Sequence, residues 1–216
     1  MCYSDVSAFA DLNNQGGFMK KFIVAILLVA LVTTGISFAG STDVFLSIPM
    51  SIDQFKGDNP GHYSGTGLGP GVRYSTAGRD DAIGFNAGLT VFFPIAVSFS
   101  QEDGFNTTKV DDLYSFPVGL DFALGVDLNF LKFGFIEIPI SVGAHSKLDF
   151  YKDGPLADFG IGVNTGIQLA LGGFGVFARA QVAYDLYRVG KSDVINVGKL
   201  NQWSVQPQIG VSFRGK

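Results

Sequence analysis

The sequence predicts an all-β fold, an eight-stranded antiparallel transmembrane β-barrel, and three observations carry that prediction. Eight stretches alternate apolar and non-apolar residues, their non-apolar face is small and sparsely charged, and the links between them alternate short and long. A period of two marks a strand, because successive side chains point to opposite faces. A nearly uncharged face makes a poor surface against water but suits a narrow barrel interior whose other side meets lipid.

Each element follows from that pattern. The clearest stretch is Ile83–Phe99, where every odd position is apolar. Its even positions are Gly84, Asn86, Gly88, Thr90, Ala96 and Ser98, with Phe92 and Pro94 as exceptions. In chain order the apolar faces run Val44 to Ile52, Leu68 to Tyr74, Ile83 to Phe99, Tyr114 to Leu128, Gly134 to Ala144, Phe159 to Leu169, Phe174 to Leu186 and Trp203 to Phe213. Eight is an even number, as closure of an antiparallel ring requires. The third and fourth runs exceed the roughly ten residues that a tilted strand needs to cross an apolar band. They either project beyond the membrane or, in the third, bend near Phe92-Phe93-Pro94.

Short links are expected at Ser75–Ala82, Asn129–Phe133 and Leu171–Gly173, and long polar loops at Asp53–Thr66, Ser100–Leu113, Ser146–Asp158 and Tyr187–Gln202. Aromatic residues gather near both ends of the apolar faces. Tyr74, Phe174 and Phe213, with Phe130 and Phe133 in the turn, mark the short-link end; Phe99, Tyr114, Phe116, Phe159, Tyr184 and Trp203 mark the other. Two such girdles fit two membrane interfaces.

The chain divides into three parts. Residues 19–39 read as a secretory signal peptide: Lys20 and Lys21, an unbroken apolar run of eleven residues from Phe22 to Val32, and the exit Ser37-Phe38-Ala39. That run is short for a spanning helix of about 20 residues. Residues 1–18 read as an over-extended N-terminus, and residues 40–216 as the barrel. The single cysteine, Cys2, lies ahead of the signal, so the exported chain has neither a disulfide nor a lipid-accepting thiol.

A soluble eight-stranded barrel with its apolar face inward is the structural alternative. Its exterior would be roughly a quarter to a third charged, whereas the non-apolar faces here carry only Arg73, Asp121, Asp127, Glu137, Arg179 and Asp185. In the membrane register Arg73, Asp121, Asp127, Glu137, Arg179, Phe92, Phe177 and Tyr187 are candidates to line the lumen. An ionised group there must find a partner or water, so a cluster of Arg179 with Glu137 and Asp121 is expected. Arg73 falls nearer the short-link mouth. The many luminal glycines either let large neighbours stack or leave a passage.

Other chemistries find little support. The net charge of −4 offers no basic patch, which argues against nucleic acid. Asp58, His62 and Ser64 share the first long loop, but nothing sets a base against a nucleophile, so no enzyme is expected. His62 and His145 are the only histidines, so no metal site or cofactor is expected. Gly65–Gly71 enters a strand, not a helix, and reads as turn chemistry rather than a phosphate loop.

Taken over residues 40–216, the strand count, loop asymmetry, girdles and final strand Trp203–Phe213 resemble the small eight-stranded bacterial outer-membrane barrels. They are most similar to the OmpW family, with OmpA- and OmpX-type barrels as rivals. The chain departs from the aromatic-terminated closing strand by ending Arg214-Gly215-Lys216. The OmpW resemblance implies a narrow channel for small apolar solutes. The expected function is therefore a small outer-membrane channel or porin-like protein. The alternative is a non-conducting barrel acting as an adhesin or structural surface protein through its loops. The expected location is the bacterial outer membrane with both barrel termini periplasmic. The expected partners are outer-membrane lipid, the assembly machinery, small solutes and host or extracellular ligands at the loops.

Overall fold

Residues 40–54, 62–78, 80–101, 104–108, 113–191, 195 and 197–215 are described in a computed structural model of the chain. The predicted signal peptide, the first eighteen residues, Cys2 and Asp58 lie outside them, as do the side chains of His62 and Phe99. The strands are β1 (Ser41–Ser47), β2 (Met50–Gln54), β3 (His62–Ser75), β4 (Ile83–Gln101), β5 (Gly104–Thr108), β6 (Tyr114–Phe133), β7 (Ile136–Tyr151), β8 (Gly154–Leu171), β9 (Phe174–Gly190) and β10 (Gly198–Arg214).

The ring closes between its first and last strands. β1 pairs antiparallel with β10 from Ser41↔Arg214 to Ser47↔Gln208 and with β3 on its other edge. β2 continues β1 between the same two neighbours after a break at Ile48-Pro49, where proline has no N–H to give the ladder. β5 hangs on the far end of β4, outside the ring. The remaining neighbours β3, β4, β6, β7, β8, β9 and β10 follow in order, which makes eight antiparallel walls. The expected fold class is the observed one.

Burial is inverted relative to a water-soluble protein. Leu46, Phe85, Leu124, Ile161, Ile167, Trp203 and Ile209 are exposed, while Asp43, Asp121, Asn164, Gln168, Gln181 and Asp185 are buried. A closed ring leaves no unpaired sheet edge to lipid, and its outward apolar belt replaces water contact with hydrocarbon. Girdle residues pair on that outer face: Phe174 meets Phe213 with ring centroids 5.9 Å apart, and Tyr184 meets Trp203 at 4.9 Å.

Irregular registers change several expectations. Between Thr66↔Ala96 and Gly67↔Pro94, Ile95 is an extra residue of β4. The bulge reverses parity beyond it, so Val97 turns inward and is fully buried instead of joining the outer face. Phe93 is buried too. Tyr114, expected in the outer girdle, is buried as well, because β6 takes four residues, Ser115–Val118, where β7 spends one. Strand β4 thus both bends near Pro94 and runs on to pair with β5.

The connections are also shorter than expected. β7 and β8 meet at the two-residue turn Lys152-Asp153, so Ser146–Asp158 is strand and not loop. Phe130 and Phe133 lie in β6, and the turn is Gly134-Phe135, with Gly134 at φ 67°. The glycine-rich segment Gly65–Gly71 lies within β3, not in a turn.

Candidate functional site

The lumen is crossed by polar contacts stacked from the end that carries the chain termini to the opposite end. Nearest the termini, Arg214 on β10 pairs with Glu137 on β7, Nη1 to Oε2 at 2.5 Å. Above them Arg179 on β9 donates from Nη1 to Asp43 Oδ2 on β1 at 2.6 Å and from Nη2 to Gln168 on β8. Its guanidinium lies 4.1 Å from the centroid of the Phe177 ring. On the other wall Asp127 accepts hydrogen bonds from Asn86 at 2.8 Å and Ser141 at 2.5 Å.

The middle of the barrel is held by amides. Arg73 on β3 reaches Gln181 on β9 at 3.5 Å, Asn164 donates to Gln208 at 2.8 Å, and Gln206 donates to Thr90 at 3.1 Å. Next comes His145 on β7, Nε2 2.9 Å from Asp121 on β6 and Nδ1 3.0 Å from Asp185 on β9. An imidazole protonated on both nitrogens donates to both acids; with one proton, a carboxylate would face a lone pair. Lys147 then pairs with Asp149 at 2.8 Å and donates to Ser51 on β2 at 3.1 Å, its ammonium 5.3 Å from the Phe92 centroid. Arg188 grips Asp158 with Nε and Nη2. An apolar group of Val97, Tyr114, Tyr151, Leu156 and Ile195 closes the far end, the two tyrosine rings stacked at 4.6 Å.

Seven of the eight lumen candidates, Arg73, Asp121, Asp127, Glu137, Arg179, Phe92 and Phe177, are buried on the inner face. Tyr187 is not. Leu186 is an extra residue between Phe159↔Tyr187 and Gly160↔Asp185, and this bulge turns Tyr187 outward to 49 % exposure. The expected cluster of Arg179 with Glu137 and Asp121 does not form. Each has a different partner, Asp43, Arg214 and His145 respectively, because alternation fixes the face of a residue but not the wall opposite it. His145, Lys147 and Asp149 were missed by stopping the fifth run at Ala144. Leu148 and Phe150 carry the same alternation onward.

Glycines on the inner face serve two ends. A Cβ on Gly119 would sit 2.1 Å from Phe92 Cζ, and one on Gly71 2.3 Å from the Phe45 ring, so these glycines make room for aromatic plugs. Ala123, Gly125, Gly143 and Gly162 instead wall a cavity of about 20 Å³ faced by Arg73 and His145. Two more cavities, of about 10 and 20 Å³, lie towards the far end and the terminal end. Each has room for about one water, so among the described residues side chains fill the lumen around these three cavities.

No protein-family model matches the chain, and no curated protein matches it. Among solved structures, Neisserial surface protein A is 14 % identical over 79 % of this chain and 96 % of its own, with a TM-score of 0.48. The outer membrane protein OprG from Pseudomonas aeruginosa is 14 % identical over 82 % and 96 %, with a TM-score of 0.47. Ail, the attachment invasion locus protein of Yersinia pestis, is 12 % identical over 82 % and 99 %, with a TM-score of 0.39. These are distant resemblances of shape, and the assignment stands on the ring closure and inverted burial of this chain. The protein is an eight-stranded antiparallel transmembrane β-barrel of the outer-membrane type.

Proposed function

We propose that the protein is an integral barrel of the bacterial outer membrane that passes small apolar molecules sideways through its wall. In this reading the signal peptide at 19–39 is removed, the assembly machinery inserts the barrel into outer-membrane lipid, and both barrel termini face the periplasm. The OmpW resemblance favours a small apolar solute. The filled axis argues against a wide aqueous pore.

One observation carries the lateral route. Among the described residues, β4 and β6 pair only from Ile83↔Leu128 to Phe92↔Gly119. Beyond that, β6 turns away through Ser115–Val118 and β5 takes the vacated edge of β4 at Val97–Gln101. The seam so left is bordered by Pro94 and Pro117, neither of which has an N–H to pair across it. Behind it, Val97 of β4 and Tyr114 of β6 belong to the apolar group at the far end. A molecule entering from that end meets apolar side chains first and the ionic layers below, so the path of least desolvation leads out between the two strands.

The test sets ion conductance against solute uptake for the purified protein in lipid bilayers and liposomes. The proposal expects no discrete conductance steps and faster entry of a small apolar fluorophore than into protein-free liposomes. Conductance steps without added uptake would replace the lateral route by an axial pore. If both are absent and a host or envelope component binds the loops, the barrel acts as a surface adhesin.

A further inference from the structure

The outer wall at the far end carries a cation and neutral hydrogen-bond donors on its lipid-facing side. Lys199 on β10 pairs directly with Tyr187 on β9, and directly paired residues share a face, so both point outward, and both are exposed. Between this pair and Gln202↔Asp185, Leu200 and Asn201 stand against Leu186 alone, a bulge that leaves Asn201 exposed as well. Asn201 accepts through Oδ1 from the Tyr184 hydroxyl at 2.5 Å, which leaves its amide hydrogens to donate.

Among the described residues no carboxylate pairs with Lys199. Asp158 and Asp185, the acids of β8 and β9 near this level, turn inward to Arg188 and His145. The exposed Asp153 lies two walls away, in the β7–β8 turn beside Lys152. Towards the middle of the wall the surface becomes aromatic. Trp203 and Tyr184 follow with ring centroids 4.9 Å apart, and Phe159 pairs with Tyr187 on its other side. Polar donors above and rings beneath match the order of headgroup and acyl chain in a lipid.

We propose that Lys199, Tyr187 and Asn201 form a binding site for the headgroup phosphate of an anionic lipid, whose acyl chains lie along Trp203, Tyr184 and Phe159. The site continues the lipid-facing wall, so its occupant is a membrane lipid and not free phosphate. The net charge of −4 gives the chain no general attraction for anions, so a preference for an anionic lipid has to be local. The site does not depend on any passage through the wall.

Trp203, the single tryptophan, reports on the site. The purified barrel is placed in phosphatidylcholine bilayers, and acyl-brominated phosphatidylglycerol or acyl-brominated phosphatidylcholine is added in increasing amounts to quench its fluorescence. One lysine at a membrane surface favours an anionic lipid by about fivefold. Phosphatidylglycerol is therefore expected to quench at about a fifth of the mole fraction that phosphatidylcholine needs. Lys199→Gln, at an exposed position and so compatible with folding, should make the two lipids equal, whereas Lys199→Arg should keep the preference. With the reporter moved to the terminal end by Trp203→Phe and Phe213→Trp, no preference is expected. Equal quenching by the two lipids in the unchanged protein would overturn the proposal, as would a preference that survives Lys199→Gln or is as large at the terminal end. So would loss of the preference on adding inorganic phosphate in place of chloride at equal ionic strength, which would assign the donors to a free ion.

Discussion

Gly119 and Gly162 face the same lumen, yet a methyl group at each meets different surroundings. At Gly119 it collides with the Phe92 ring, and the expected cost of Gly119→Ala is about 1–3 kcal/mol of overpacking. At Gly162 there is room, with the nearest atoms 3.5 Å away, so Gly162→Ala should change stability by less than about 1 kcal/mol. Urea unfolding in detergent, followed by the fluorescence of the single tryptophan, Trp203, measures both. The ion pairs allow a stricter test. Arg179→Met strands the buried Asp43 and should cost about 3–5 kcal/mol, whereas adding Asp43→Asn should recover a substantial part of that loss. Alternation in the sequence was enough to turn Arg73, Asp121, Asp127, Glu137 and Arg179 inward, since one polar side chain facing lipid is costly. It could not choose their partners, which depend on tilt and on which walls oppose. Nor could it find Tyr187, since the bulge at Leu186 leaves no mark in the spelling of that strand.

At the scale of the element, the strands follow the alternation and the departures gather at bulges. The Ile95 bulge carries Val97 from the lipid face into the far-end apolar group, and Ser115–Val118 does the same for Tyr114. Residues beyond such a point read correctly as strand and wrongly as to face. The loop assigned to Ser146–Asp158 failed for a related reason. Lys147, Asp149 and Asp158 look like loop charges until they are seen paired inside the barrel. The seam between β4 and β6 is where an element-level change should show in function. Replacing Pro94 and Pro117 together with valine restores two backbone donors and favours strand. The expected result is stronger protection of β4 and β6 amides from hydrogen exchange and slower uptake of the apolar fluorophore. Stronger protection with unchanged uptake would remove the seam from the route.

For the whole molecule, two solvents explain why strand number and closure could be read in advance. Lipid demands one apolar face on every wall, and a narrow lumen demands small or polar groups on the other, so the signal recurs along the chain. Ile209, 65 % exposed between Trp203 and Phe213, sits within that apolar belt. Ile209→Arg should destabilise the folded barrel by about 2–4 kcal/mol if it lies near the bilayer midplane, whereas Phe213→Arg, nearer the interface, should cost less. Denaturant titrations in lipid vesicles would rank the two. Ring closure has one more consequence. The N–H of Gly215 donates to the carbonyl of Gly40 at 2.7 Å, so the first and last described residues of the wall are hydrogen-bonded neighbours. A short glycine linker could therefore join them, and the chain be cut instead at Lys152-Asp153, an exposed turn between two long strands. Such a circular permutant should refold to the same ring, because the order of walls around the axis would survive a change in where the chain begins.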